Sequence, residues 1–309
     1  MRSIYSVCTI PLLLFFSGCN SDLFVDAIPD MVSEITLSGN VDSYVVKIPR
    51  KGLQGVSFGN NLDYLASEVY YDLSGEEIYS FSSIDEISKV VYLSPRFQIE
   101  FVISGDEVKI IAWDNTFDEV LKVDISLRYG YESKVMTVNV APGDPARIDH
   151  LGYDILRPVS GFRTEQGMRQ RFTNNSSLTQ HLIVYPYKDS KSKITFTPED
   201  SWQYGIRGIV SVPIYKDGEW VETASSQLDV MLGTTESFYS ENINVDEEVI
   251  IDVSPNSTVA VDTYVRYATL DVGYLGSVVL PNSNNMMMIS GRCSLSQPID
   301  YKIEVICED

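Results

Sequence analysis

Histidine is scarce in this 309-residue sequence, which has only two, and short motifs of enzyme active sites are few. The chain contains no phosphate-binding P-loop and no His-Glu-x-x-His. His150 falls in a linker-like segment and His181 continues an alternating strand, so we interpret both as structural residues rather than as general bases. The sequence therefore predicts a protein that is not an enzyme, and we expect neither a cofactor nor a metal site.

Basic residues and long apolar runs are also few. Lysine and arginine number 23 against 43 aspartates and glutamates, which gives a formal net charge of -20. Without a basic stripe the chain has no means to release counterions from phosphates, so this composition argues against nucleic acid as a partner. After residue 18 no stretch approaches the roughly twenty apolar residues of a membrane-spanning helix. We therefore expect the body of the protein to fold in water.

The N-terminus carries the pattern of a bacterial lipoprotein signal. An apolar run at residues 10–16 is followed at once by Ser17-Gly18-Cys19. The run is too short to span a bilayer, whereas small residues before a cysteine suit cleavage ahead of Cys19 once its sulfur is acylated. We expect removal of residues 1–18 and a lipid anchor at Cys19, and Asn20 after it favours the outer membrane and the cell surface. The alternative is an ordinary secretory signal with an incidental cysteine.

Cysteine is nearly absent from the rest of the chain, where only Cys293 and Cys307 remain. They would lie in a compartment that permits a disulfide. If residues 286–293 and 300–307 formed a simple hairpin, the two cysteines would not face each other, which opposes a direct bridge. The sequence leaves their pairing open.

Alternating runs rich in Val, Ile, Tyr and Thr predict an all-β protein. The clearest short strands are separated by turn signals such as Ser104-Gly105-Asp106. They are Tyr44–Ile48, Phe97–Ile103, Val108–Trp113, Leu121–Arg128 and Lys134–Val140. Ile84–Val90 is the single short helix that the pattern suggests.

The strand pattern stops near Ala141-Pro142-Gly143-Asp144-Pro145, where two prolines and a glycine interrupt any ladder. We place a tether at residues 19–29, an immunoglobulin-like β-sandwich at 30–143 and a second β domain at 150–309. The size of the first domain suits one such sandwich. Its last segment, Lys134–Gly143, resembles the final strand of the sandwich modules at the N-termini of Bacteroidetes surface lipoproteins.

The second domain contains short β patterns that follow one another over about half of the chain. The segments are Phe172-Thr173-Asn174-Asn175-Ser176-Ser177-Leu178-Thr179-Gln180, Lys193–Thr197, Val249–Val261 with its turn Pro255-Asn256, Tyr274-Leu275-Gly276 and Ser290-Gly291. In this order they resemble the strands and turns of aerolysin-like pore-forming proteins, the group that includes epsilon toxin and the mosquitocidal toxins. The alternative is that these segments are ordinary turns between sandwich strands.

In that family the segment between the Asn-Asn strand and the proline turn is the insertion loop, which here is Gly205–Leu232. The resemblance implies that the loop rests on the stem sheet until a homo-oligomer forms, and that a ring of such hairpins then closes into a membrane barrel. It also implies a receptor, a glycan or a protein. A surface hairpin of a soluble sheet has the same one-sided pattern, so alternation alone does not separate the two functions.

The hairpin can be aligned by its alternation, and a three-residue loop Lys216-Asp217-Gly218 gives the more regular faces. This register pairs Ile214 with Trp220, Val210 with Ala224 and Ile206 with Leu228, and on the other face Ser211 with Thr223, Ile209 with Ser225 and Arg207 with Gln227. The predicted lipid-facing residues are Ile206, Val210, Val212, Ile214, Trp220, Ala224 and Leu228. The predicted lumen-facing residues are Arg207, Ser211, Thr223, Ser225 and Gln227.

Two residues depart from the pattern of a membrane hairpin. Glu222 would face lipid opposite Val212, and Pro213 removes a ladder donor. The competing function is a surface lipoprotein that binds a glycan or a protein partner, because exposed aromatic side chains stack on sugar rings. Trp202 and Tyr204 are the candidate patch for that function.

Overall fold

A computed structural model describes residues 31–130, 132–155 and 159–308 of the chain. The predicted signal at 1–18, Cys19 and the tether at 19–29 lie outside the described residues. Within them every element longer than a single 3-10 turn is a β-strand, so the predicted all-β class is confirmed. No helix in these ranges is long and apolar enough to cross a bilayer.

The N-terminal domain consists of two sheets that share one core. Its strands are β1 (Glu34–Leu37), β2 (Asn40–Lys47), β3 (Leu53–Asn60), β4 (Ser67–Asp72), β5 (Glu77–Ile78), β6 (Ile87–Ser94), β7 (Phe97–Ser104), β8 (Glu107–Asn115), β9 (Leu121–Tyr129) and β10 (Glu132–Val140). One sheet has the order β1-β10-β9-β3 and the other β2-β8-β7-β6-β4-β5. Leu121 and Val123 of one sheet and Ile99 and Ile110 of the other are fully buried in this core. The immunoglobulin-like connectivity remains a prediction.

The predicted helix at Ile84–Val90 is wrong. Only Ile84–Glu86 form a 3-10 turn, capped by the Ser83 side chain, and strand β6 starts at the next residue. Ile87 and Val90 are both buried; Ile87 pairs with β4, and Val90 pairs with both β4 and β7. Their β-branched side chains fit these pleated strand positions better than a short exposed helix.

The pentapeptide Gly55-Val56-Ser57-Phe58-Gly59 has the Gly-x-Ser-x-Gly spacing of a nucleophile elbow. That motif functions at a sharp turn between a strand and a helix. Here the five residues lie inside the extended strand β3, and Ser57 pairs with Ser126 of β9. The spacing therefore does not build a nucleophile elbow in this protein.

The C-terminal domain is organised around two very long strands. Its strands are β11 (Arg147–Tyr153), β12 (Val159–Asn174), β13 (Gln180–Val184), β14 (Ser192–Pro198), β15 (Arg207–Lys216), β16 (Glu219–Met231), β17 (Thr235–Phe238), β18 (Val249–Val253), β19 (Ser257–Val279) and β20 (Met286–Glu308). β19 and β20 pair antiparallel from Val279–Met286 to Thr258–Glu308. At about 3.3 Å per residue, each 23-residue strand is roughly 75 Å long.

The other strands are arranged along this long pair. β11 and β12 line β19 one after the other, whereas β14 lines β20 and carries β17 at its outer edge. β15 and β16 extend the sheet beyond β11, and β13 and β18 form a separate two-stranded sheet. The main core contains Ile194, Phe196, Val210, Leu270 and Leu295.

The two domains meet at the turn between β19 and β20. Asp114 of β8 is fully buried, and its carboxylate accepts the backbone N–H groups of Asn282 at 3.0 Å and Ser283 at 2.9 Å. The Asn282 side-chain amide adds a third bond at 3.1 Å. β11 starts at Arg147, just past the predicted break and three residues before the predicted start of the second domain.

Cys293 and Cys307 are both free thiols. Residues 286–293 and 300–307 do not form a hairpin with each other, because β20 is continuous and pairs with β19 instead. The two cysteines are thus fourteen residues apart on one strand, about 46 Å, far beyond the reach of a disulfide. Burial raises the pKa of the Cys293 thiol, which favours the protonated, unreactive form.

Two glycines of the family-like segments permit close backbone contacts in the core. A Cβ at Gly276 would lie 2.2 Å from the carbonyl oxygen of His150 on β11. A Cβ at Gly291 would lie 2.3 Å from the carbonyl oxygen of Thr197 on β14. Any other residue at these positions would push the neighbouring strands away from the β19–β20 pair.

We predict that Gly276→Ala destabilises the protein by about 1–3 kcal/mol, because the added methyl overpacks the contact between β11 and β19. Gly273→Ala is the matched control on the same strand, since its nearest neighbour would be the Gly291 oxygen at an ordinary 3.9 Å. Thermal unfolding followed by circular dichroism measures both. Equal melting temperatures for the two variants would contradict the close contact.

Candidate functional site

The β15–β16 hairpin turns through two residues, not three. Asp217 and Gly218 both have left-handed backbone angles, φ 53° and φ 93°. This is the pattern of a type I′ turn, whose twist matches that of the flanking strands. Lys216 therefore pairs with Glu219, and Tyr215 with Trp220. The predicted three-residue loop is wrong because Asp217 also adopts the left-handed conformation.

The register changes in the middle of the hairpin. Pro213 pairs with Glu222, but the next pair is Ser211 with Gln227, so residues 223–226 stand opposite Val212. Proline has no N–H to continue the ladder, which makes its neighbourhood a suitable place for a bulge. The Ser226 hydroxyl donates to the carbonyl of Val212, which has no ladder partner at the bulge, at 2.7 Å.

The bulge redistributes the side chains over the two faces. Ile214 pairs with Val221 and Val210 with Leu228, so the pairs predicted for Trp220, Ala224 and Leu228 are wrong. On the other face Ser211 pairs with Gln227, Ile209 with Asp229 and Arg207 with Met231, so the predicted partners Thr223, Ser225 and Gln227 are wrong as well. Ala224 and Ser225 belong to the bulged segment. Since paired residues share a face, Trp220 and Glu222 lie on the face of Tyr215 and Pro213 and not on that of Ile214.

The apolar face of the hairpin packs against the body of the protein. Ile206, Val210 and Val212 are buried in the main core, and Leu228 packs against it. On the opposite face Arg207, Ile209 and Gln227 are exposed and Ser211 is half-buried. Thr223, predicted for the same face, lies in the bulged segment and is half-buried. The hairpin is thus amphipathic in the folded protein, with its apolar face protected.

Only one ladder pair joins the hairpin to the described sheet, Arg147 of β11 with Arg207 at the hairpin base. In the middle, the Tyr153 hydroxyl donates to the Ser211 carbonyl at 2.9 Å. Burial raises the pKa of Tyr153 far above its usual range, which keeps this donor protonated. The middle of the hairpin is therefore held by a side chain and not by a strand.

The tip is also held by side chains. The Gln297 amide on β20 accepts the Tyr215 N–H at 2.9 Å and donates to the Tyr215 carbonyl at 3.1 Å. The Asn242 amide donates to the same carbonyl at 2.9 Å. The Tyr215 ring contacts Trp220 and, edge-on, Phe162 of β12.

Sequence reasoning did not identify Tyr153, Asn242 or Gln297 as part of the site. Gln297 carried the one usable signal, because it follows Cys293 and Leu295 at inward positions of an alternating strand. A polar residue at such a position needs a hydrogen-bonding partner. Tyr153 and Asn242 carried none, since their role depends on where distant segments meet.

The candidate aromatic patch is only partly exposed. Trp202 is half-buried and packs against the main core, whereas Tyr204 is 49% exposed. The Tyr204 ring lies against Gly233, where a Cβ would approach it to 2.2 Å. The patch therefore offers one accessible ring, not two.

The Asn-Asn segment closes the far end of the domain. Asn174 is fully buried, and its amide nitrogen lies within 3.0 Å of the carbonyl oxygens of Leu178, Val253 and Ser254. It thereby joins the turn after β12 to the end of β18. The predicted turn at Pro255-Asn256 is confirmed, with Asn256 in the left-handed region at φ 53°.

The histidines lie on exposed strand positions. His181 Nδ1 is 2.7 Å from Asp252 Oδ1 across the β13–β18 pair, and both side chains are largely exposed. His150 is exposed on β11, where it pairs with Ser277.

No protein-family model matches the chain, and no curated protein matches it. Several solved structures are similar to it at about a tenth sequence identity. A lamprey immune protein is 10% identical with a TM-score of 0.39, over 87% of this chain and 99% of that one. Parasporin-2, a Bacillus thuringiensis toxin that recognizes cancer cells, is 10% identical with a TM-score of 0.24, over 50% and 73%. An aerolysin-like protein of Bombina maxima is 9% identical with a TM-score of 0.26, over 50% and 97%.

We predict that Asn174→Ala destabilises the protein by about 1–3 kcal/mol, because the Val253 and Ser254 carbonyl groups lose the amide that joins the end of β18 to the turn after β12. Asn175→Ala is the matched control, since the neighbouring side chain is exposed. Chemical unfolding measures both variants. The capping role would be refuted if the midpoint of Asn174→Ala equalled that of Asn175→Ala.

Proposed function

We propose that the protein is an aerolysin-like pore former, in which the β15–β16 hairpin leaves the body and inserts into a membrane after a homo-oligomer has formed. The observation that carries this proposal is the manner of attachment. An amphipathic hairpin is joined to the described sheet by one ladder pair and is otherwise held by side-chain hydrogen bonds and apolar packing. Such an element can separate without dismantling the sheet beneath it.

The length of the hairpin suits a membrane barrel. A transmembrane β-strand needs about 9–11 residues, and β15 has ten. The thirteen residues of β16 include the bulge opposite Val212, so its two regular parts match β15. A ring of such hairpins would satisfy every backbone group without water.

The register observed in the hairpin favours insertion more than the predicted one does. A carboxylate that faces lipid costs on the order of a few kcal/mol. The predicted register placed Glu222 on the apolar face, whereas the bulge moves it to the face of Ser211 and Gln227. The face left for lipid carries Val210, Val212, Ile214, Val221 and Leu228.

Transfer of the hairpin from the core to lipid has a small cost for its apolar face. Ile206, Val210 and Val212 are buried in the body, and lipid tails are as apolar as the core that they leave. Tyr215 and Trp220 lie next to the turn on the face of Pro213 and Glu222, so in a barrel they would line the lumen at its mouth. Pro213 is three residues from the turn on the same strand, close to the interface where a missing ladder bond can be replaced by water.

Anchoring and recognition are part of the same proposal. The lipoprotein pattern at residues 1–19 supports a lipid anchor at Cys19 in the outer membrane or at the cell surface. An anchored chain would meet its receptor, a glycan or a protein, at that surface. A surface lipoprotein that only binds such a partner is the function that remains if the hairpin stays in place.

We predict that a disulfide between Arg147→Cys and Arg207→Cys abolishes pore formation. Both residues are exposed and pair across β11 and β15, about 4.8 Å apart, so cysteines there can form a bridge. The bridge keeps β15 on β11 and prevents it from pairing with a neighbouring hairpin in a barrel. The background is Cys307→Ser, which removes the exposed thiol.

The measurement is dye release from liposomes made of lipid extracts, before and after reduction. Ile209→Cys with Asp229→Cys is the matched control, because this bridge joins β15 to β16 and lets the hairpin move as a unit. Release by the control and by the reduced clamp, but not by the oxidised clamp, is expected. Absence of release from the unmodified protein with every lipid extract would refute the pore and leave the surface binding protein.

A further inference from the structure

Gln297 is a buried amide in an otherwise apolar row. It is 2% exposed and follows Cys293 and Leu295 on the inner face of β20. β20 changes register just beyond it, between the pairs Tyr267–Pro298 and Arg266–Asp300. Bulges of this kind re-aim side chains, and here the side chain at the bulge reaches a neighbouring element.

The Gln297 amide and the Tyr215 backbone exchange two hydrogen bonds, one in each direction. Two facing residues of an antiparallel ladder make the same exchange through their backbones. The Gln297 side chain thus makes with the hairpin tip the two hydrogen bonds that a residue of a neighbouring strand would otherwise make. Asn242, in the segment after β17, donates to the same carbonyl from the other side.

Gln297 is itself buried, so its amide depends on the Tyr215 backbone for its hydrogen bonds. When the tip is docked, the amide oxygen, the amide nitrogen and both Tyr215 groups are bonded. When the tip lifts, the amide of Gln297 loses its partners inside the core, and an unsatisfied buried group is costly. The base of the hairpin has no comparable buried polar group in its ladder pair, since Arg147 and Arg207 are both exposed.

We propose that Gln297 is the positioning residue that keeps the hairpin docked, and that separation of Gln297 from Tyr215 is the first step of hairpin release. This inference rests on the proposed function for its biological meaning, but the docking itself is a property of the protein in water. Release then proceeds from the tip through the Tyr153–Ser211 bond to the ladder pair at the base.

Hydrogen exchange read by mass spectrometry tests the docking in the full protein without membranes. Gln297→Leu keeps the size of the side chain but bonds neither Tyr215 group. We expect exchange of residues 207–231 to rise about ten-fold or more, with residues 87–140 unchanged. Gln54→Leu is the control, because it removes an exposed amide from β3.

Gln297→Glu adds a signature that a purely structural role would not give. Near pH 7 the carboxylate accepts the Tyr215 N–H but has no proton for the Tyr215 carbonyl, so the tip should open. A free glutamate has a pKa of about 4.3, which burial raises, and once protonated it both donates and accepts. We therefore expect protection of residues 207–231 to return in this variant as the pH falls, after correction for intrinsic exchange rates.

The outcomes separate this inference from the proposed function. Unchanged exchange of residues 207–231 in Gln297→Leu, or a Gln297→Glu variant with no pH-dependent recovery, overturns the positioning role. Increased exchange together with faster dye release supports both proposals. Increased exchange without dye release supports the positioning role and refutes the pore. If Gln297→Leu exchanges faster throughout the chain, Gln297→Glu at acid pH decides in its place.

Discussion

The pairing of β19 with β20 over their whole length is the constraint on which the C-terminal domain depends. Two strands of 23 residues pair with a single register shift. The hydrophobic-core residues of β19 are odd-numbered up to Tyr267 and even-numbered from Leu270, so the pair supplies an apolar surface on one side in its first half and on the other side in its second half. β11, β12 and β14 add to its two edges, and Gly276 and Gly291 let their backbones approach. Without this pair neither the hairpin nor the Asn174 turn would have a surface on which to dock.

The β15–β16 hairpin has a different relation to the body from that of the other strands. Its apolar face fills the core, while its backbone meets the body mostly through the side chains of Tyr153, Gln297 and Asn242. Apolar packing has no direction and is replaceable by lipid, whereas the few directional bonds fix the docked position. The hairpin can therefore have one defined docked position in water and still move into lipid without losing the favourable environment of its apolar face.

Sequence patterns predicted the class, the strands near Phe97, Val108 and Leu121, the break after Val140 and the turn at Pro255, because each depends on local alternation or backbone preference. They failed where the local structure depends on contacts with segments that are distant in the sequence. The hairpin register depends on a bulge that Ser226 stabilises. β20 continues past residue 293 because β19 supplies a partner strand, and Ile87 joins a strand because β4 pairs with it. The hydrogen bonds of Gln297 likewise require knowledge of which strand the hairpin tip reaches.

The contact of Asp114 with the turn at Asn282 also constrains how the chain folds. The two residues are 168 positions apart, and closing a loop of that length has a large entropic cost that contacts formed earlier must offset. Because the turn connects β19 to β20, we expect the joint to form only after these two strands have paired. Until then the Asp114 carboxylate lacks its three donors, so we expect the N-terminal domain to reach its final stability only when the C-terminal half of the chain is complete.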